Sequence, residues 1–268
     1  MTDPSADLDL TRWREYDDLI TDSLWLLGAR DKSSTHVGDY WGNFVPQIPS
    51  QLIRRFTRRG DRVVDLFSGM GTTLIECRRL GRHGVGVELN PDVALRSRVR
   101  IGAAEVSVDA TWQVLVGDAA DPATAEAVRT ALRPTGRDAA DLLILHPPYH
   151  DVIKFGDDPR DLSNAPDEAT FLALFERVAA NAVALLRPGG HLGLVIGDVY
   201  AGGEWRPLGF ECMQRCRNVG LTLRAINVKD IQGNVRGKGQ ATNLWRYRAL
   251  KLGTYVFKHE YVMVFRNR

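Results

Sequence analysis

The chain has 268 residues, 44% hydrophobic and 25% charged, which suits one large α/β domain with elaborations. Lys and Arg exceed Asp and Glu by only 35 to 33, so a nucleic-acid surface would have to come from local clustering rather than overall charge. Three cysteines exclude a disulfide framework. No run is long and apolar enough to span a membrane, and "MTDPSADLDLTRW" lacks the basic-then-apolar form of a secretion signal, so a cytoplasmic protein is expected.

Residues 1–10 carry no pattern, 11–30 read as a short helix ending at Gly28, and 31–50 form an irregular aromatic segment. Regular alternation starts at Ser50. A helix over 50–59 leads to the strand "RVVDLF", a helix over 72–80, the strand "GVGVEL" and a helix from Pro91. The strand "WQVLVGD", a helix over 121–132 and the strand "DLLIL" follow. After a polar loop, a helix near 167–186 is expected to stop at "RPGG", whose Pro and Gly break helices. The strand "HLGLVIGD", a helix near 207–219 and the strands "LTLRAINV" and "EYVMVFRN" complete the chain. Strand and helix in alternation predict a mostly parallel, doubly wound sheet covered on both faces, with the last strand inserted antiparallel. Cys212 and Cys216 share one helix face without a second Cys/His pair nearby; with Cys77 they are expected to be buried thiols, and no metal site is expected.

The turn after the first long strand reads Asp65-Leu66-Phe67-Ser68-Gly69-Met70-Gly71. Glycines there let a ligand approach the backbone, and the following helix offers free N–H groups. Gly71-Thr72-Thr73 lacks the lysine of a phosphate loop, and Leu74 stands where a nicotinamide fingerprint would place its third glycine. Glu88 ends the next strand, placed to take both hydroxyls of a ribose, with Leu89 beside it. Asp118 and Ala119 end the third, within reach of an adenine amine. A nucleoside with a carboxylate and no phosphate is S-adenosylmethionine, the expected cofactor.

Residues 141–149, "DLLILHPPY", run a buried strand into a histidine, two prolines and a tyrosine. "DLFSGMGTT", Glu88, Asp118 and "HPPY" in this order resemble the N6-adenine/N4-cytosine DNA amino-methyltransferases, from about Gly38 to "HEYVMVFRN". The resemblance implies a Rossmann-like class I methyltransferase fold with seven strands, and DNA modification of the restriction-modification kind. "GNFVPQIPSQLI" is similar to the family's additional cofactor-side motif, giving an N-terminal helix and lid over 1–49. The catalytic domain then covers 50–268, with a basic and aromatic insertion at about 228–258.

The chemistry also follows from the residues. An exocyclic base amine is a poor nucleophile because its lone pair is delocalised into the ring. Acceptors for its N–H groups favour a tetrahedral nitrogen aimed at the methyl donor. His146 and the Pro147 carbonyl would supply them, Pro147 and Pro148 would fix the lip, and Tyr149 would stack an extruded base. His146 stands where the family has Asp, Asn or Ser, and a neutral imidazole accepts where an imidazolium cannot. His146 is thus an acceptor, a spacer beside Pro147, or the mark of an altered substrate. Carbon methylation of cytosine would need a cysteine at this strand, and none is there. Adenine N6 is favoured slightly over cytosine N4, on frequency alone. An RNA base, a protein glutamine and a silent cofactor-binding subunit are the alternatives.

The loop 150–164 resembles the segment that closes over the target base, with Phe155 a second wall. From Arg224 to Lys258 there are eight Lys/Arg against one acid, with aromatics interleaved. Arg236, Lys238, Trp245, Arg246 and Arg248 are the candidate nucleic-acid contacts. No large separate recognition domain is apparent, so specificity is expected from this insertion, a homodimer partner or another subunit.

Overall fold

Leu142, Leu143, Ile144 and Leu145 are fully buried, and they alternate between two apolar layers. Leu143 and Leu145 pack with Phe171, Phe175 and Val178 on one side, and Leu142 and Ile144 with Ile48, Leu52 and Val63 on the other. A strand covered on both faces needs a continuous apolar run, which "DLLIL" provides. The computed structural model describes residues 6–106, 110–201, 203–231 and 242–268.

In chain order the described strands are β1 (Leu24–Trp25), β2 (Arg62–Asp65), β3 (His83–Glu88), β4 (Trp112–Val116) and β5 (Ala140–Leu145). They continue with β6 (Leu186–Ile196), β7 (Val199–Ala201), β8 (Glu204–Arg206), β9 (Thr222–Asp230) and β10 (His259–Arg266). The helices are α1 (Gln47–Phe56), α2 (Thr72–Leu80), α3 (Pro91–Gly102), α4 (Pro122–Leu132), α5 (Glu168–Leu185), α6 (Leu208–Asn218) and α7 (Thr242–Leu252). The main sheet has the order β1-β9-β10-β6-β5-β2-β3-β4, with β7 and β8 a separate hairpin. Helices α1, α2 and α3 cover one face and α4, α5 and α6 the other. β10 runs antiparallel between β6 and β9 as expected, although α7 lies between β9 and β10, where the sequence reading expected no helix.

The strand order places the site. From β2 the chain moves outward through β3 and β4, then returns so that β5 pairs with β2 on its other side. The loops after β2 and β5 therefore diverge, opening a crevice at the carboxyl ends of those strands.

Four expectations change. Residues 11–30 are not a helix: a 3-10 turn spans Leu10–Glu15, and β1 adds an eighth strand to the expected seven by pairing parallel with β9. Trp25 of β1 is buried in the same layer as Phe44 and Ile48, so the N-terminal segment belongs to the one core. The helix expected at 50–59 starts at Gln47. α5 stops just before "RPGG" as expected, but "RPGG" already lies inside β6 rather than ahead of it: Gly189 N–H donates to the Asn267 carbonyl (3.0 Å) and Asn267 N–H to that of Gly190 (2.9 Å). Gly190 has no room for a side chain, since a Cβ would sit 3.0 Å from the Arg187 carbonyl oxygen. Cys77, Cys212 and Cys216 are buried free thiols, and the described residues hold no cluster suited to a metal ion. No described helix is long and apolar enough to cross a membrane.

Candidate active site

A cavity of about 640 Å³ occupies the crevice between the loops after β2 and β5. Its floor is the glycine turn. Asp65 ends β2 beneath the turn, accepting from the Phe67 N–H (2.9 Å) and the Thr73 hydroxyl (2.6 Å). Burial pushes the Asp65 carboxyl up to about 6 against those two bonds. Gly71 adopts φ +83°, and a Cβ there would lie 2.6 Å from Ile101 Cδ1, so only glycine fits between α2 and α3. Asp65, Gly71 and Thr73 thus shape the turn from behind, while Phe67, Ser68, Gly69 and Thr72 line the cavity.

Glu88 joins the turn to the second wall. Its carboxylate accepts from Gly69 N–H (3.0 Å) and Asn90 N–H (2.9 Å), and burial raises its pKa against both bonds. Leu89, Asp118 and Ala119 continue this wall; Asp118 accepts from Ala120 N–H (2.8 Å) through one oxygen. A carboxylate oxygen has two lone pairs, so both acids can take further donors from a ligand.

The opposite wall is the lip of β5. His146, Pro147, Pro148 and Tyr149 all line the cavity. The His146 ring packs against Phe44, with centroids 4.8 Å apart, and its Nε2 lies 3.4 Å from the Tyr149 hydroxyl. Burial pushes the imidazole down to about 4; the charge of Glu260 opposes this and that of Lys229 adds to it. His146 is therefore neutral at physiological pH. Tyr149 donates to Glu260 Oε2 (3.0 Å), whose Oε1 accepts from Lys229 Nζ (2.9 Å). Burial first, then Glu260, raises the Tyr149 phenol well above its usual range.

The N-terminal segment roofs the cavity. His36 Nε2 sits 2.7 Å from Glu76 Oε1 with both side chains buried, and the Thr72 hydroxyl donates to Asn43 Oδ1 (2.5 Å), clamping the segment to α2. Tyr40 reaches over Gly69, and burial, then the acids Glu88 and Asp161, pushes its phenol up to about 12. Phe155 packs on Tyr40 (6.2 Å between centroids) and over Gly42, where a Cβ would lie 2.8 Å from the ring. The 150–164 loop is thus tied to the roof. It is also tied to itself, because Asn164 donates to the carbonyls of Gly156 and Asp158.

Arg246 and Arg248 are not among the residues that line this cavity. Arg246 and Arg248 are exposed on α7. Arg236 and Lys238 lie outside the described residues, as does the side chain of Trp245. The residues that sequence reasoning did not single out are Tyr40, Phe44, Lys229 and Glu260. The aromatic density of 31–50 was a signal for the first two. Glu260 carried none, and Lys229 entered only as one charge of the basic run, with nothing local to pair the two across strands.

Residues 7–96, which hold the roof, the glycine turn and Glu88, match the sequence profile of the N6/N4 DNA methylase family. That stretch is about a third of the chain. Over 72 residues the chain is 32% identical to the Type II methyltransferase M.MjaII of Methanocaldococcus jannaschii, covering 27% of this chain and 14% of that protein. Over 70 residues it is 33% identical to the Type II methyltransferase M.XycI of Xanthomonas campestris pv. cyanopsidis, covering 26% and 22%. The matched stretch therefore spans less than a quarter of either relative. The crystal structure of TrmN from Thermus thermophilus aligns with 84% of this chain and 49% of its own at a TM-score of 0.52 and 20% identity. That likeness concerns the fold alone, and the fold is that of the class I methyltransferases.

Proposed function

We propose that the protein transfers the methyl group of S-adenosylmethionine to an exocyclic amine of a DNA base. One observation carries the reading: a single cavity has Glu88 and Asp118 on one wall and the His146–Tyr149 lip on the other. The nucleoside half of the cofactor fits the acids, Glu88 on the ribose hydroxyls and Asp118 on the adenine amine. That orientation directs the methionine half towards the glycine turn and the β5 lip. Bound there, the sulfonium supplies an electrophilic methyl group.

The chain's own residues supply the rest. Neutral His146 and the Pro147 carbonyl accept hydrogen bonds from the target NH₂, localising the nitrogen lone pair. Tyr149 and Phe155 offer faces for an extruded base, and the roof of Tyr40 and Phe44 excludes water. The basic residues of α7 and the preceding insertion hold backbone phosphates, and DNA specificity comes from this surface or from a partner subunit or second copy. Adenine N6 is the first target, cytosine N4 the second.

The test is methyl transfer from labelled cofactor to unmethylated DNA, RNA and cell protein, followed by nucleoside analysis of the product. Label in N6-methyladenine or N4-methylcytosine supports the reading. Label only in RNA or protein moves the substrate, and no transfer despite cofactor binding makes the chain a silent subunit.

A further inference from the structure

The chain Lys229–Glu260–Tyr149–His146 crosses from the antiparallel edge of the sheet to the lip of β5, and all four residues line the cavity. Its hydrogen directions can be read from donor and acceptor counts alone. The Lys229 ammonium has only donors, so Glu260 Oε1 accepts from it at 2.9 Å. A carboxylate so paired is ionised and has no hydrogen to give, so the single Tyr149 hydroxyl hydrogen goes to Glu260 Oε2 at 3.0 Å. What Tyr149 then turns towards His146 Nε2, 3.4 Å away at the long end of hydrogen-bond range, is an oxygen lone pair. That contact is favourable only when Nε2 carries the imidazole hydrogen. Gly197 keeps the arrangement compact: a Cβ there would lie 3.0 Å from the Tyr149 ring.

We infer that Glu260, paired with Lys229, is a positioning residue that acts through Tyr149 to fix His146 in the Nε2–H tautomer, leaving Nδ1 as the lone-pair acceptor for the target amine. Nδ1 has no hydrogen-bond partner among the described residues. Where the family has Asp, Asn or Ser, the acceptor face needs no tautomer. A histidine does, and two strands far along the chain provide it. The inference rests on the proposed amine methylation for its purpose but not for its test.

The full chain is labelled with nitrogen-15 at histidine, and the His146 signals are assigned by their loss in His146→Gln. The parent is expected to show one neutral tautomer with hydrogen on Nε2. Tyr149→Phe and Glu260→Ala are expected to show a tautomer mixture, whereas Glu260→Gln, which keeps an acceptor for the phenol, retains the parent signal. Near-parent spectra elsewhere in the chain establish that each variant is folded. A parent with hydrogen on Nδ1, or Tyr149→Phe and Glu260→Ala variants that keep the Nε2–H tautomer, would overturn the inference. Single-turnover rates should follow the tautomer, with Glu260→Ala slower by about tenfold and Glu260→Gln near the parent. Were methyl transfer absent altogether, the functional reading would fail while the tautomer result stood.

Discussion

Tyr149 and Glu260 are 111 positions apart in the chain, yet the phenol donates to the carboxylate at 3.0 Å. β10 comes back through the sheet beside β6, which pairs with β5, and this brings the start of the last strand level with the lip where β5 ends. The lip is therefore not a free loop. It is braced from behind by a buried ion pair, and His146 inherits its surroundings from that brace.

The pH profile should differ from that of an exposed histidine. The unperturbed pKa is near 6.5, but burial lowers that of His146 to about 4. The neutral acceptor is then present above about 4 and lost below it. Single-turnover rates should be flat from about pH 5.5 upward and fall only on approach to about 4. An acid limb near 6.5 would mean that His146 is solvated or not the titrating group. His146→Asn should keep much of the activity and His146→Ala should lose more; equal rates would assign the acceptor role to Pro147 alone.

Glu88 binds two backbone N–H groups and lines the wall proposed for the ribose, so its removal has two effects. Glu88→Ala should weaken S-adenosylmethionine binding by about 1–3 kcal/mol through lost charged hydrogen bonds. Glu88→Gln, which retains one acceptor oxygen, should lose less. Calorimetry on the folded variants reads both, and parent-like affinity in Glu88→Ala would remove Glu88 from the site.

Asp65 should make the protein less stable as pH rises. Its folded pKa is raised from 3.8 to about 6, so the native chain holds a proton that the unfolded chain has released between those values. That contribution is complete below about 3.8 and lost as pH climbs through about 6. Asp65→Asn, which can keep both bonds if the Thr73 hydroxyl turns to accept, removes the dependence. Its advantage over the parent should grow by up to about 3 kcal/mol between pH 4 and 8. Urea midpoints at the two pH values measure it; a constant difference would contradict the raised value.

The exposed arginines of α7 should report on phosphate contact. If Arg246 and Arg248 each neutralise a phosphate, Arg246→Ser with Arg248→Ser lowers the slope of log affinity against log salt by roughly 0.9 per lost contact. Fluorescence anisotropy with a duplex at several salt concentrations gives the slope. An unchanged slope would make α7 a solvated face, leaving Arg236 and Lys238 of the insertion as the remaining candidates.

The sequence alone determined most of the frame. The runs "RVVDLF", "GVGVEL" and "DLLIL" mark buried strands because a doubly covered strand must be apolar throughout. Gly71 marks the turn because a left-handed residue against Ile101 admits no side chain. Glu88, Asp118 and "HPPY" were legible because each ends a strand, and strand ends in such a sheet face the crevice. Local pattern failed where long-range pairing overrode it. β1 is two residues long and exists only because β9 offers an edge, while "RPGG" enters a strand because Asn267 satisfies its backbone. The ionisation of His146 and the pairing of Lys229 with Glu260 were likewise beyond the sequence. A side chain's acidity depends on the water it has lost and the charges it meets, and both are set by which strands become neighbours.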